Sequence, residues 1–450
     1  MSGDLVVALA AHLMEELPQS APVQSQLAAR VAIGVTLSIH ILLAGLVSGA
    51  GHLGPVIEWL GYMRGRRSYD RLAHGMARWM TYYFSISSTL AILLITVLFV
   101  GMWGRFWTTL VRITWWPLVL EACTFVLQVA LTYLWYYTWE PLRRFKALHL
   151  ALGGLLAIAS FMQVFMINVV ASYMLTPVAP ENPLQVVLNP TFYPLQLHRT
   201  VGNIAYVGFV LAAVAAWRQR RAKTDEDRSF YDWAGSFGLL WGVGMTLVQP
   251  IVGYSYAKEI QLHAYTSWYS MMRGSLSTVF LWQLLLFGSM MMVSAFYFAR
   301  RLRTAGARGA GVLKVVSVGL VLTTLVAVMP YHIAFTYSDV VAAGRDRPFW
   351  EGGLINPLGA MLPWKVLALI AFTLLAVAAV FWYLRGLRDI RWGRPGNAER
   401  RLLIGAAVLT MMMMVTMGYI RENSRVPYLV NGEMDLHQDQ TNSAQVSNAP

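Results

Sequence analysis

His40, His52, Glu121, His149, His198, His332, Lys365 and Glu422 all stand inside or at the ends of long apolar stretches of this 450-residue chain. A titratable group in a low-dielectric surrounding is costly unless it is neutral, paired or bound to a ligand. Each is therefore a candidate for chemistry: a carboxylate can carry a proton or ligate a metal, and a neutral imidazole offers one lone pair. A histidine or glutamate at a helix end more often snorkels to the interface or caps the helix. His52 and His149, beside basic turns, are read in that way. His40 and Glu121 lie within apolar sequence, where a carboxylate needs a partner or a proton. A neutral imidazole deep in a helical bundle suits an axial position on haem iron, and an ordinary core histidine is the competing reading of His40.

The elements that must position these groups are membrane spans. Hydrophobic residues make up 57% of the chain and charged residues 13%, against about 25% charged in soluble domains; mean hydropathy is +0.51. Apolar runs long enough to cross a hydrocarbon core of roughly 30 Å recur throughout. They are read as 31–51, 80–103, 115–137, 148–173, 198–217, 233–254, 277–298, 313–336, 363–384 and 402–421, an all-α polytopic bundle of about ten helices. Residues 1–25 form a polar N-terminal segment without the basic start of a cleavable signal. Residues 26–430 form the bundle, and 431–450 a polar tail expected to be disordered. The single cysteine, Cys123, excludes an intrachain disulfide, a cysteine-rich metal site and a CxxCH haem attachment. Any haem would be held by His, Met or Glu.

The net charge of +13 does not point to nucleic acid, because the basic residues sit between the apolar runs. Alternate loops are arginine-rich: Arg64, Arg66 and Arg67; Arg143, Arg144 and Lys146; Arg218, Arg220 and Arg221; Arg300, Arg301 and Arg303; Arg385, Arg388 and Arg391. Arginine-rich loops face the cytoplasm, so both termini are expected outside. The other loops are rich in Pro, Asn, Tyr and Gly. With that orientation Glu121, His198, His332 and Glu422 fall near the outer ends of their helices, and His40 lies about 15 Å below the outer face. His52 and His149 fall near the inner face.

Several segments resemble subunit I of the cytochrome bd quinol oxidases. Arg30 precedes His40 with the spacing of the family's helix-1 haem-ligand histidine. Pro117-Leu-Val-Leu-Glu121 is similar to the family's PLAIE motif, whose Glu lies beside the di-haem site. Ser160 to Pro177 resembles the fourth helix with its WMQxP-like turn. Asn189-Pro190 followed by Leu197-His198-Arg199-Thr200 resembles the segment carrying the histidine of the low-spin b haem. Gly418-Tyr-Ile-Arg-Glu422-Asn-Ser-Arg425-Val-Pro427-Tyr428 is similar to the GWxxxExGRQPW signature. The resemblance covers most of 25–255 and 360–430. It implies His40, His198 and Glu422 as iron ligands of up to three haems, b-type with d-type also open. It further implies Glu121 as a polar or proton-handling group, Arg425 as a propionate partner, and the bacterial inner (plasma) membrane as location.

The chain also departs from that pattern. Leu369 stands where the axial Met is expected and Leu367 where an Arg usually stands. The second carboxylate of the third helix is replaced at Gln128 and Val129, and the helix-2 Glu position is Thr96. Only Ala257-Lys258-Glu259 matches the quinol loop. Relative to the family, 275–340 is read as an inserted helix pair, and the final helix is missing. Without Met, the haem on His198 would be five-coordinate or would take a second imidazole, with His332 or His263 available.

The leading reading is a bd-like haem subunit of a respiratory complex, an oxidoreductase that oxidises a quinol or an external cytochrome c and passes electrons to oxygen. It would act beside a second membrane subunit. One alternative keeps the haems without the oxidase activity, as an electron-transfer module serving another respiratory complex. Another is a cofactor-free scaffold or transporter.

Overall fold

The computed structural model describes residues 26–99, 101, 104–177, 183–272, 276–328, 363–424, 429–430 and 434–435. The N-terminal segment, His332, Arg425 and most of the polar tail lie outside the described residues. Among the described residues ten helices are long and apolar enough to cross a membrane, as the sequence leads one to expect. The helices are α1 (Gln26–Arg64), α2 (Arg67–Leu93, continued by a π-helical turn over Leu94–Phe99), α3 (Gly104–Tyr137), α4 (Lys146–Tyr173), the short α5 (Pro183–Val187), α6 (Phe192–Arg221), α7 (Asp225–His263), α8 (Tyr265–Met272), α9 (Ser277–Thr304), α10 (Ala310–Val328), α11 (Pro363–Gly386) and α12 (Asn397–Asn423). A pair of two-residue antiparallel strands, Leu429–Val430 and Met434–Asp435, follows α12.

The first helix differs from the sequence-based boundary. It runs on to Arg64 rather than stopping at residue 51. Within that extension the Glu58 side chain is fully buried and paired, so burial of the helix continues past this acidic residue. In α3 the backbone breaks at Thr114 (φ −113°, ψ 28°), three residues before Pro117. The proline ring clashes with the carbonyl four residues back and lacks an N–H. Glu121 stands in the next turn.

The chain forms two compact units, one of Met1–Leu60, Ala73–Gln196 and Arg425–Pro450, the other of Gly61–Leu72 and Leu197–Ser424. In the first, α3 packs along α4, and α1 approaches them at glycines. A Cβ on Gly54 would lie 2.7 Å from the Trp135 ring, and one on Gly153 would meet Pro55 at 3.2 Å. The turn before α6 is held by a buried amide and hydroxyl network. The Asn189 carboxamide donates to Ser172 Oγ (2.8 Å) and to the Val186 carbonyl (2.9 Å), and Thr176 and Thr191 share a 2.7 Å contact.

In the second unit α9 packs on α10 and α12, and α10 on α11, around Phe209, Leu239, Tyr297, Phe298 and Tyr383. Lipid tails are as apolar as leucine, so helices in a bilayer associate through close backbone approach and polar contacts rather than through hydrophobic burial. The α6–α7 crossing shows this. Gly238 and Gly242 of α7 face Gly208 of α6, and a Cβ on Gly208 would fall 2.4 Å from the Gly242 nitrogen.

Candidate functional site

His198 belongs to the second unit, near the start of α6 and against α7. Its carbonyl accepts a hydrogen bond from Gln249 Nε2 at 3.0 Å, and its ring stacks with Tyr256 at 6.0 Å between centroids. Two glycines make the fit. A Cβ on Gly202 would crowd the Gln249 amide at 2.9 Å, and one on Gly253 would touch the His198 ring at 3.7–3.8 Å. Pro250 interrupts the hydrogen-bond ladder of α7 one turn before Gly253. His198 Nδ1 and Gln249 Oε1 are both buried and find no hydrogen-bond partner among the described residues. Buried polar atoms are nearly always satisfied, so two orphans on adjoining residues mark a place where a group outside the chain completes the bonding. A ring nitrogen without a protein partner fits an axial ligand of haem iron, which needs one or two protein donors. Among the described residues no three His, Cys, Asp or Glu side chains converge as a bare metal ion would require.

His263, one of the two imidazoles available as a second axial ligand, ends α7, about 15 Å along the helix axis beyond Gly253, and its ring lies 3.4 Å from Glu259. Glu422 lies in the last turns of α12 within the same unit. His40 and Glu121 fall in the first unit, His40 half-buried in α1 and Glu121 half-buried in α3 just past the Thr114 break.

Two buried charge clusters escaped sequence reasoning. In the first unit the Glu58 side chain, fully buried, lies 2.6 Å from Lys146 Nζ and 2.6 Å from His149 Nδ1 through the same oxygen, Oε1. Trp135 Nε1 donates to its other oxygen at 2.9 Å, and His149 Nε2 lies 3.0 Å from the Trp135 carbonyl. His149, taken from sequence as an ordinary interfacial residue, is thus the centre of a charged network. In the second unit Asp232 and Arg301, both almost fully buried, pair at 2.9 Å, and the Gly393 N–H donates to the same Asp232 oxygen. The signal for the first cluster was Lys146 and His149, one helical turn apart on one face of α4. For the second there was none, because Asp232 and Arg301 read as loop charges at span ends.

A third feature lies deeper along the α3–α4 seam. Gln128, at a position where the bd pattern has its second carboxylate, is fully buried and donates to Ser160 Oγ at 2.8 Å. Its Oε1 has no hydrogen-bond partner.

Comparison with known proteins agrees with this architecture. The structure of bd oxidase from Geobacillus thermodenitrificans superposes with a TM-score of 0.61 over 94% of this chain and 92% of that one, at 19% sequence identity; at that identity the likeness is one of fold. No curated protein matches the chain significantly. Residues 28–272 match the family described as cytochrome bd terminal oxidase subunit I. That stretch includes His40, Glu121, His198 and the Glu58 cluster, and it stops short of Glu422. With more than half of its length inside the match, this multi-pass membrane chain belongs to the cytochrome bd terminal oxidase subunit I family.

Proposed function

We propose that the chain is the haem-bearing subunit of a bd-type respiratory oxidase, oxidising a quinol or an external cytochrome c and passing the electrons to oxygen. The observation that carries this reading is the His198 ring, set against Gly253 with its buried Nδ1 lacking a partner among the described residues, within the stretch that matches the family. His198 would hold one haem, His40 and Glu422 two others, with Arg425 beside propionates and His332 a candidate for a second imidazole. Bound haem would supply one-electron chemistry and the iron on which oxygen is reduced. The chain's own residues hold and orient. Gln249 fixes the backbone of His198, Tyr256 packs against its ring, and Glu121 would hold or move a proton on α3. The arginine-rich turns would face the cytoplasm of a bacterial inner membrane, and a second membrane subunit would complete the complex.

One observation favours a second reading, a haem electron-transfer module without oxidase activity. Gln128 is a buried carboxamide bonded to Ser160, and it cannot release a proton as a carboxylate does. Two measurements on the purified chain decide between the readings. A pyridine haemochrome spectrum with stoichiometry should show haem that falls by one equivalent in each of His198→Ala, His40→Ala and Glu422→Ala; absence of a Soret band in the wild type would overturn both haem readings. Oxygen consumption with a quinol or reduced cytochrome c then separates oxidase from module.

A further inference from the structure

The Glu58 cluster fixes its own proton count. A backbone carbonyl only accepts, so His149 Nε2, 3.0 Å from the Trp135 carbonyl, must carry a hydrogen. The other ring nitrogen, Nδ1, lies 2.6 Å from Glu58 Oε1. Two arrangements satisfy that contact. Either a carboxylic Oε1–H donates to a neutral ring, or an imidazolium Nδ1–H donates to a carboxylate. They differ only in which atom holds one and the same proton. Removing it would press the Nδ1 lone pair against an anionic oxygen, or force the ring to give up the Trp135 carbonyl.

A buried lock does not require this chemistry. Arg301, which never deprotonates, locks Asp232 with fixed charges. Glu58 is instead held by two partners that can exchange protons. Lys146, the first residue of α4, leaves 23% of its side chain exposed, whereas Glu58 and His149 are 0% and 1% exposed. The charged and titratable groups facing Glu58 are Lys146 and His149 from α4. Trp135 faces it from α3, and Trp139 packs under the Lys146 ammonium at 4.7 Å and edge-on to His149 at 4.7 Å. From α2, His74 stacks on the far side of Trp139 at 4.8 Å.

We propose that Glu58 and His149 form a proton-holding station at the arginine-rich end of the first unit, loaded from solvent through Lys146. In loading, the Lys146 N–H bond breaks, its electron pair stays on nitrogen, and an O–H bond forms on Glu58. The amine then takes a proton back from water. In the pair itself the proton moves between Oε1 and Nδ1 without change in total charge. That these protons serve oxygen reduction rests on the oxidase reading; the station itself does not.

The test is infrared spectroscopy of the purified full chain transferred from H2O to D2O. The wild type should show a carboxylic or imidazolium band that shifts within seconds, while the helical backbone exchanges over hours. The band should be lost in both Glu58→Gln and His149→Gln, and its exchange slowed in both Lys146→Met and Lys146→Arg, since a guanidinium keeps the charge and does not deprotonate, with the melting temperature and amide bands recording that each variant is folded. A band that persists in both Glu58→Gln and His149→Gln, or that exchanges only together with the backbone, overturns the station and leaves a structural lock. In haem-loaded protein, Glu58→Gln should slow proton uptake during oxygen reduction on the order of a hundredfold while anaerobic haem reduction by quinol is unchanged. Equal rates of uptake in the two proteins also overturn it. If the wild type reduces no oxygen, the oxidase reading fails and the deuterium experiment still decides the station.

Discussion

Glu58 and Asp232 are both carboxylates buried at helix ends, yet they are satisfied in different ways. Asp232 accepts from Arg301 and from the Gly393 N–H through one oxygen, and the Arg301 guanidinium also lies over the Trp392 ring at 5.3 Å. Every donor there is permanent, and the pair joins α7, α9 and the turn before α12. Glu58 meets a lysine, an imidazole and an indole, and two of those three can give up a proton. A buried ion pair is weak evidence for net stability, because desolvation offsets most of the Coulombic gain. What differs between the two sites is whether their protons can move.

Four substitutions break or sharpen that contrast, in decreasing order of effect. Asp232→Ala leaves Arg301 buried without its counter-ion and should cost about 3–5 kcal/mol, read as a large fall in melting temperature in detergent or as failure to accumulate. Glu58→Gln keeps the shape of the side chain but leaves one of its contacts mismatched, at about 1–3 kcal/mol. A melting curve should therefore show a smaller loss than at Asp232, while the infrared spectrum changes more. Ser236→Ala removes the 2.6 Å hydrogen bond to Tyr383 in the buried core of the second unit and should cost about 1 kcal/mol, with no change in exchangeable infrared bands. Asp225→Asn removes an exposed pair with Arg228 and should leave the melting temperature within experimental scatter. A fall at Asp225 as large as that at Ser236 would mean that burial is not what separates these groups.

The ten spans were legible because bilayer length and the alternation of arginine-rich loops are written directly in the order of residues. What was not legible depends on partners far away in the chain. The first span was read as ending at residue 51, and only His149, 91 residues on, and Lys146 explain how the helix carries Glu58 past that point buried. His149 and Lys146 carried a readable spacing, but nothing local told which carboxylate they would face. Of the candidate site, the Asn189-Pro190 turn and the following His198 can be read locally. The distance of His263 from Gly253 cannot, because only the unbroken course of α7 to its end reveals it. Gln128 was noted as a departure from the bd pattern; its burial, its bond to Ser160 and its unsatisfied oxygen emerge only from the packing of α3 on α4.

The glycine crossing of α6 and α7 has a consequence for biogenesis. The two helices are joined by only the three residues Ala222, Lys223 and Thr224, and their backbones touch at Gly208, Gly238 and Gly242. His198 and Gln249, 51 residues apart, lie near the open end of this hairpin, and so does Gly253. The whole neighbourhood of the His198 ring therefore leaves the ribosome as one helical hairpin that can enter the bilayer and close on itself before α9 to α12 are synthesised.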